Sequence, residues 1–226
     1  MRYFNRVLKR VILLPLFLLP SFLLNGQETP PSTVKNPPIF VELFAGNRAL
    51  AYQVTINKKF QSAPKFGFFG ATNLQPEWGN SVIEDYMLQG KLTYSVVKGV
   101  DLAGGFIWNP VDGIRPSAAA TFSYATPKVV AIFNPRVDIA KDPNFELFSM
   151  LEYKPKLSNK LTLYTRAQGI YTHNFGYGDH SRSYIMVRAG ISYKDFTFGA
   201  ATNFDWYGPT KIYKNNFGGF VAVNLF

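Results

Sequence analysis

Residues 196–206 read FTFGAATNFDW. Alternate positions place Phe196, Phe198, Ala200, Thr202, Phe204 and Trp206 on one side and Thr197, Gly199, Ala201, Asn203 and Asp205 on the other. A period of two is the period of a β-strand, whose successive side chains point to opposite faces. The apolar side opens and closes on a large aromatic. At ~3.4 Å per residue and a tilt of ~40–45°, the interval from Phe196 to Trp206 covers about 25 Å, the height of the apolar band of a membrane barrel.

The same pattern recurs upstream. LTLYTRAQGIY (Leu161–Tyr171) sets Leu161, Leu163, Ala167 and Tyr171 against Tyr164, Arg166 and Gln168, and SYIMVRAGISY (Ser183–Tyr193) sets Ile185, Val187, Ile191 and Tyr193 against Met186, Arg188 and Ser192. A soluble barrel accommodates such alternation too, so the position of the aromatics decides between the two. Tyr94, Tyr124, Tyr153, Tyr193 and Phe196 fall beside short turns, while Trp108, Tyr171 and Trp206 fall at the opposite strand ends. Two aromatic rows are what the two membrane–water interfaces select.

Turn residues punctuate the chain into twelve expected strands: 39–46, 49–59, 64–73, 82–97, 99–109, 115–125, 128–139, 144–154, 160–172, 182–194, 195–206 and 212–225. Ten or fourteen strands also fit the punctuation. The predicted fold is all-β, an antiparallel transmembrane β-barrel. Connections of the QSAPK, VKG, ATPK, KPKLSNK and YKD kind are read as short periplasmic turns; LQPEWGNS, NPVDG, AKDPN, THNFGYGDHS and YGPTK are read as longer loops on the other side.

Composition agrees with this reading. Aromatics make up 16% of the 226 residues, and charged residues only 17%. With no cysteine in the chain, disulfides, thiolate metal sites and cysteine nucleophiles are excluded. At the N-terminus, Arg2, Arg6, Lys9 and Arg10 precede an apolar run from Val11 to Leu24 that Pro15 and Pro20 interrupt. Such a run is too short for a spanning helix of about 20 residues, and residues 1–26 read as a secretory signal peptide. Residues 27–38, QETPPSTVKNPP, read as a flexible Pro-rich lead-in, and 39–226 as the barrel. Loss of the signal segment would lower the formal net charge from +10 to +6, and no basic cluster points to nucleic acid.

The last nine residues, GGFVAVNLF (Gly218–Phe226), resemble the C-terminal strand signature of bacterial outer-membrane β-barrel proteins, in which a final Phe ends an alternating strand. The resemblance implies a bacterial outer-membrane location, outer-membrane lipid as the surrounding medium, and recognition of Phe226 by the barrel-assembly machinery during insertion. Asn224 departs from the signature, which usually has an apolar residue there, and Phe226 lies off the phase of Val221, Val223 and Leu225.

Alternation turns Lys91, Arg115, Arg136, Arg166 and Arg188 inward, together with Asp138, Glu152 and Asp205. Glu42, Asp85, Glu146, Gln53, Gln89, Thr93 and Ser117 share that face. A polar lumen of mixed charge suits a passive channel for small hydrophilic solutes. The alternative is a non-conducting accessory barrel whose interior is filled by paired charges, binding protein or envelope partners outside. The third reading is a lipid hydrolase, which needs a nucleophile beside a base. His180 and Ser181 are adjacent and would point to opposite faces, while a His173–Ser181 pairing across the loop lacks a motive. Both histidines are read as solvated loop residues. No catalytic residue, metal site or cofactor is expected, nor is enzymatic activity.

Overall fold

The computed structural model describes residues 34–226, so the expected signal peptide and most of the lead-in lie outside the described residues. The twelve strands are β1 (Ile39–Gly46), β2 (Leu50–Phe60), β3 (Ala63–Leu74), β4 (Tyr86–Val97), β5 (Val100–Asn109), β6 (Gly113–Ala125), β7 (Val129–Asp138), β8 (Asn144–Tyr153), β9 (Leu161–Asn174), β10 (Asp179–Tyr193), β11 (Phe196–Tyr207) and β12 (Ile212–Leu225). Each pairs antiparallel with its sequence neighbours, and β1 pairs with β12 to close the barrel. Closure leaves no strand edge, which is the condition for a sheet to sit in hydrocarbon.

The polarity of the wall is inverted relative to a water-soluble protein. Outward positions carry Leu92, Leu102, Phe106, Phe133, Leu151, Ile185, Phe198 and Val221, all largely exposed. Inward positions carry Glu42, Arg166, Arg188, Asn203, Asp205 and Asn216, all buried. Water would penalise this arrangement on both faces, and a bilayer favours it. The chain is therefore an all-β transmembrane barrel.

Of the residues read as aromatic girdles, Tyr94, Trp108, Tyr124, Tyr153, Tyr171, Tyr193 and Phe196 are exposed. Trp206 is half-buried because its ring packs on Tyr213 at 5.5 Å. Phe226 is exposed beyond the end of β12, and its backbone oxygen accepts a hydrogen bond from Lys58 Nζ at 2.9 Å. The same ammonium donates to the Pro37 carbonyl at 2.8 Å, and Asn36 pairs with the backbone of Lys59. The end of β12 and the segment entering β1 are thus tied to β2.

Loop lengths differ from expectation. At the end where β1 starts, the connections are 61–62, 98–99, 126–128, 154–160 and 194–195; at the other end they are 47–49, 75–85, 110–112, 139–143, 175–178 and 208–211. Only 75–85 is long. The THNFGYGDHS stretch is mostly strand, because β9 continues to Asn174 and β10 begins at Asp179. Gly178, at φ 72°, together with the Asn174 side chain, which accepts from the Tyr177 N–H at 2.9 Å, turns the chain within four residues.

The closing seam has a steric requirement of its own. Gly46 faces Gly218 across β1 and β12, and a Cβ on Gly218 would lie 2.0 Å from the Ala45 carbonyl oxygen. Gly218→Ala is therefore expected to destabilise the folded barrel by about 1–3 kcal/mol, the usual cost of overpacking. A lowered urea midpoint of the refolded protein in lipid vesicles checks this.

Candidate functional site

The lumen holds the charged groups that alternation turns inward, and the barrel brings them together in layers. At mid-height, Glu42 of β1 accepts hydrogen bonds from Arg166 of β9 at 2.6 Å and from Arg188 of β10 at 2.9 Å. Arg166 crosses almost the whole lumen: it reaches Gln53 of β2 at 3.4 Å, and its guanidinium lies 5.0 Å from the centre of the Phe40 ring. Arg188 donates to Asn203 Oδ1 at 2.9 Å and to the Thr202 carbonyl at 3.1 Å, and lies over Phe44. Packed against this cluster, Phe44, Tyr164, Ala201, Phe220 and Ala222 form a small apolar core inside the barrel. The side bounded by β9–β12 and β1 is consequently filled.

The opposite wall is built differently. Lys91 of β4, Gly105 of β5, Ser117 of β6 and Asp138 of β7 stand opposite one another in consecutive strand registers. Glycine and alanine side chains at Gly105, Ala71 and Ala119 take little room here. Arg136 pairs with Asp138 and with Glu146, the latter at 3.1 Å. Arg115 pairs with Asp112 at 2.8 Å and reaches Asp138 at 3.8 Å. Lys91 has no ion pair among the described residues, and its ammonium lies 6.0 Å from the Phe69 ring centre. Gln89 Oε1, Thr93 Oγ1 and Ser117 Oγ on this wall have no protein hydrogen-bond partner. Towards the end where β1 starts, Glu152 accepts from Tyr164 at 3.0 Å and Lys154 at 2.7 Å, and Lys59 pairs with Asp101 at 2.7 Å.

At the opposite mouth the 75–85 connection is tied to the far wall. Asn203 donates to Gln75 at 3.0 Å, while Asp85 accepts from Tyr207 at 2.6 Å and pairs with both terminal nitrogens of Arg182. Asp205, fully buried, pairs with Arg48 at 3.1 Å and Arg182 at 3.2 Å. Glu77 receives Arg48 at 2.6 Å and Lys214 at 2.8 Å. The hydrogen bond from Lys214, reinforced by Arg48, outweighs partial burial and holds the Glu77 carboxyl below its ordinary value of 4.5.

All eight expected lumenal residues therefore line the interior, but most are engaged with one another rather than facing open solution. Four participants are not singled out by the sequence reading. Arg48 sits in a three-residue connection where no strand parity applies, and the inward aromatics Phe40, Phe44 and Phe220 were read only as generic strand residues. The parity of Phe40 and Phe44 with Glu42 is the signal that locates them. The histidine reading is corrected. His180 belongs to β10, is 7% exposed, and is hydrogen-bonded through both ring nitrogens; His173 stands opposite it on β9. Among the described residues no cluster of three or more His, Asp or Glu side chains is arranged to hold a metal ion.

No family model matches the chain, and no curated protein matches it. Solved structures similar to it include the NanC porin, at 10% identity and a TM-score of 0.49 over 84% of this chain and 100% of that one. LpxR from Salmonella typhimurium is similar at 10% identity and a TM-score of 0.41, over 83% and 99% of the two chains. Pseudomonas aeruginosa OprD is similar at 13% identity and a TM-score of 0.42, over 83% of this chain and 64% of that one.

Removal of Glu42 would leave two buried guanidiniums without their shared carboxylate. Glu42→Ala is expected to cost about 3–5 kcal/mol, read as a lowered urea midpoint. For Glu77, a depressed folded-state value means that its tether is complete above 4.5 and is lost as the pH falls below that value. Protease cleavage within 75–85 should therefore accelerate on acidification of the wild type, whereas Glu77→Gln should show the faster cleavage already at neutral pH.

Proposed function

We propose that the chain is a narrow passive channel for small hydrophilic solutes in the bacterial outer membrane. The observation that carries this reading is the uneven filling of the lumen. Bulky ion pairs and aromatics occupy the β9–β12 and β1 side, while Gln89, Thr93 and Ser117 on the β4–β6 wall lack protein partners. A dry wall of unpartnered polar atoms would cost about 1–3 kcal/mol for each group. These atoms are buried in the folded chain, so a channel requires water to enter along that wall, which would remove the cost and supply a path for solutes. Lys91, free of any carboxylate within ion-pair distance among the described residues, gives this path a positive local charge. The closed wall and its outward apolar belt support the outer-membrane setting.

In planar bilayers the refolded protein should give discrete conductance steps. Arg166→Ala removes the brace across the lumen and should enlarge the steps. Lys91→Glu should shift selectivity towards cations with little change in step size. Silence from folded, inserted protein would instead favour the non-conducting accessory barrel.

A further inference from the structure

We propose that Ser183 and His180 form a nucleophile–base pair that cleaves fatty-acyl esters of membrane amphiphiles at the outer rim of the barrel. The pair exists because the strand register breaks. His180 stands opposite His173, but Arg182 stands opposite Thr172, so Ser181 is the extra residue of a β-bulge. The bulge carries His180 and Ser183, three positions apart, onto the same outward face. His180 Nε2 lies 2.9 Å from Ser183 Oγ, and its Nδ1 lies 2.7 Å from the Gly208 carbonyl oxygen.

These partners settle the tautomer. A carbonyl oxygen only accepts, so Nδ1 carries the proton and Nε2 offers its lone pair to the Ser183 hydroxyl. This is the arrangement in which a histidine serves as general base for a serine, with the carbonyl orienting the ring. The ring is held further by Tyr171, 5.7 Å away between centroids. Among the described residues, Ser183 Oγ makes no other side-chain hydrogen bond.

Position identifies the substrate class. Ser183 stands directly opposite Tyr171 on β9 and Trp206 on β11, both in the aromatic row at the end that carries the 75–85 connection. That row marks the membrane–water interface, the depth at which acyl chains are esterified to headgroups. In the reaction, Ser183 Oγ attacks the ester carbonyl while its proton passes to His180 Nε2. The acyl C–O bond then breaks, and the leaving alcohol takes that proton. Water attacks the acyl-serine, releasing the fatty acid and restoring the hydroxyl, so one ester and one water give one acid and one alcohol.

The test uses the full-length refolded protein in detergent micelles, its folding verified by heat-modifiable gel mobility. It is treated with a long-chain alkyl fluorophosphonate and the adduct is located by peptide mass spectrometry, alongside hydrolysis of p-nitrophenyl decanoate. The expected result is an adduct on Ser183, with hydrolysis falling at least about a hundredfold in both Ser183→Ala and His180→Ala and retained in Ser181→Ala. Fatty-acid release from a diacyl glycerophospholipid or from an acylated glycolipid in mixed micelles then tells which amphiphile supplies the ester. Absence of an adduct on Ser183 in the folded wild type, or hydrolysis undiminished in Ser183→Ala, overturns the proposal. Conductance of Ser183→Ala should equal that of the wild type, so this outcome is independent of the channel reading.

Discussion

The hydrogen-bonded seam between β1 and β12 is the constraint on which the other features depend. A sheet in hydrocarbon cannot leave N–H and C=O groups unpaired, so the first strand must meet the last. The pairing of Ile39 with Leu225 through Gly46 with Gly218 achieves this. Once the sheet is closed, strand alternation leaves only two environments for a side chain, lipid or lumen. The exposed Leu, Phe and Val residues and the buried Glu, Arg and Asn residues follow from that division.

Closure creates a second requirement. Charges placed in a narrow interior lose much of their hydration and need partners. Glu42 serves two arginines from β9 and β10, Asp205 serves Arg48 and Arg182, and Arg136 serves Asp138 and Glu146. Glu42 on β1 reaches β9 and β10, and Asp205 on β11 reaches Arg48 after β1, so these two sets brace the barrel across its bore. Arg136, Asp138 and Glu146 instead neutralise one another along β7 and β8. The bracing is uneven. Phe44, Tyr164 and Phe220 reinforce it with aromatic packing on one side, whereas Gly105, Ser117 and Ala119 place only small side chains on the other.

Strand number and the inward set were legible because both depend on local alternation. Lys91, Arg136, Arg166 and Arg188 could be placed in the lumen from parity alone. Their partners could not be read in the same way. Glu42 and Arg166 lie 124 positions apart in sequence, and their meeting depends on barrel diameter and strand stagger, which no local pattern encodes. Loop lengths failed for a related reason. Gly, Asn and His in residues 172–181 suggest a loop by composition, yet β9 and β10 keep pairing through most of the stretch because Asn174 and Gly178 suffice for a tight turn.

The histidine pair shows how sensitive parity is to a single residue. On an ideal strand His180 and Ser183 point to opposite faces, one into the lumen and one into lipid. Ser181, inserted without a partner on β9, resets the phase between them, so both face outward and meet. The reset does not propagate into the lumen, because Arg182 and Tyr184 keep the inward phase that Met186 and Arg188 continue. The bulge therefore changes the chemistry of the rim while leaving the charged interior intact. The outer rim and the lumen are separate environments on one strand, each open to change without disturbing the other.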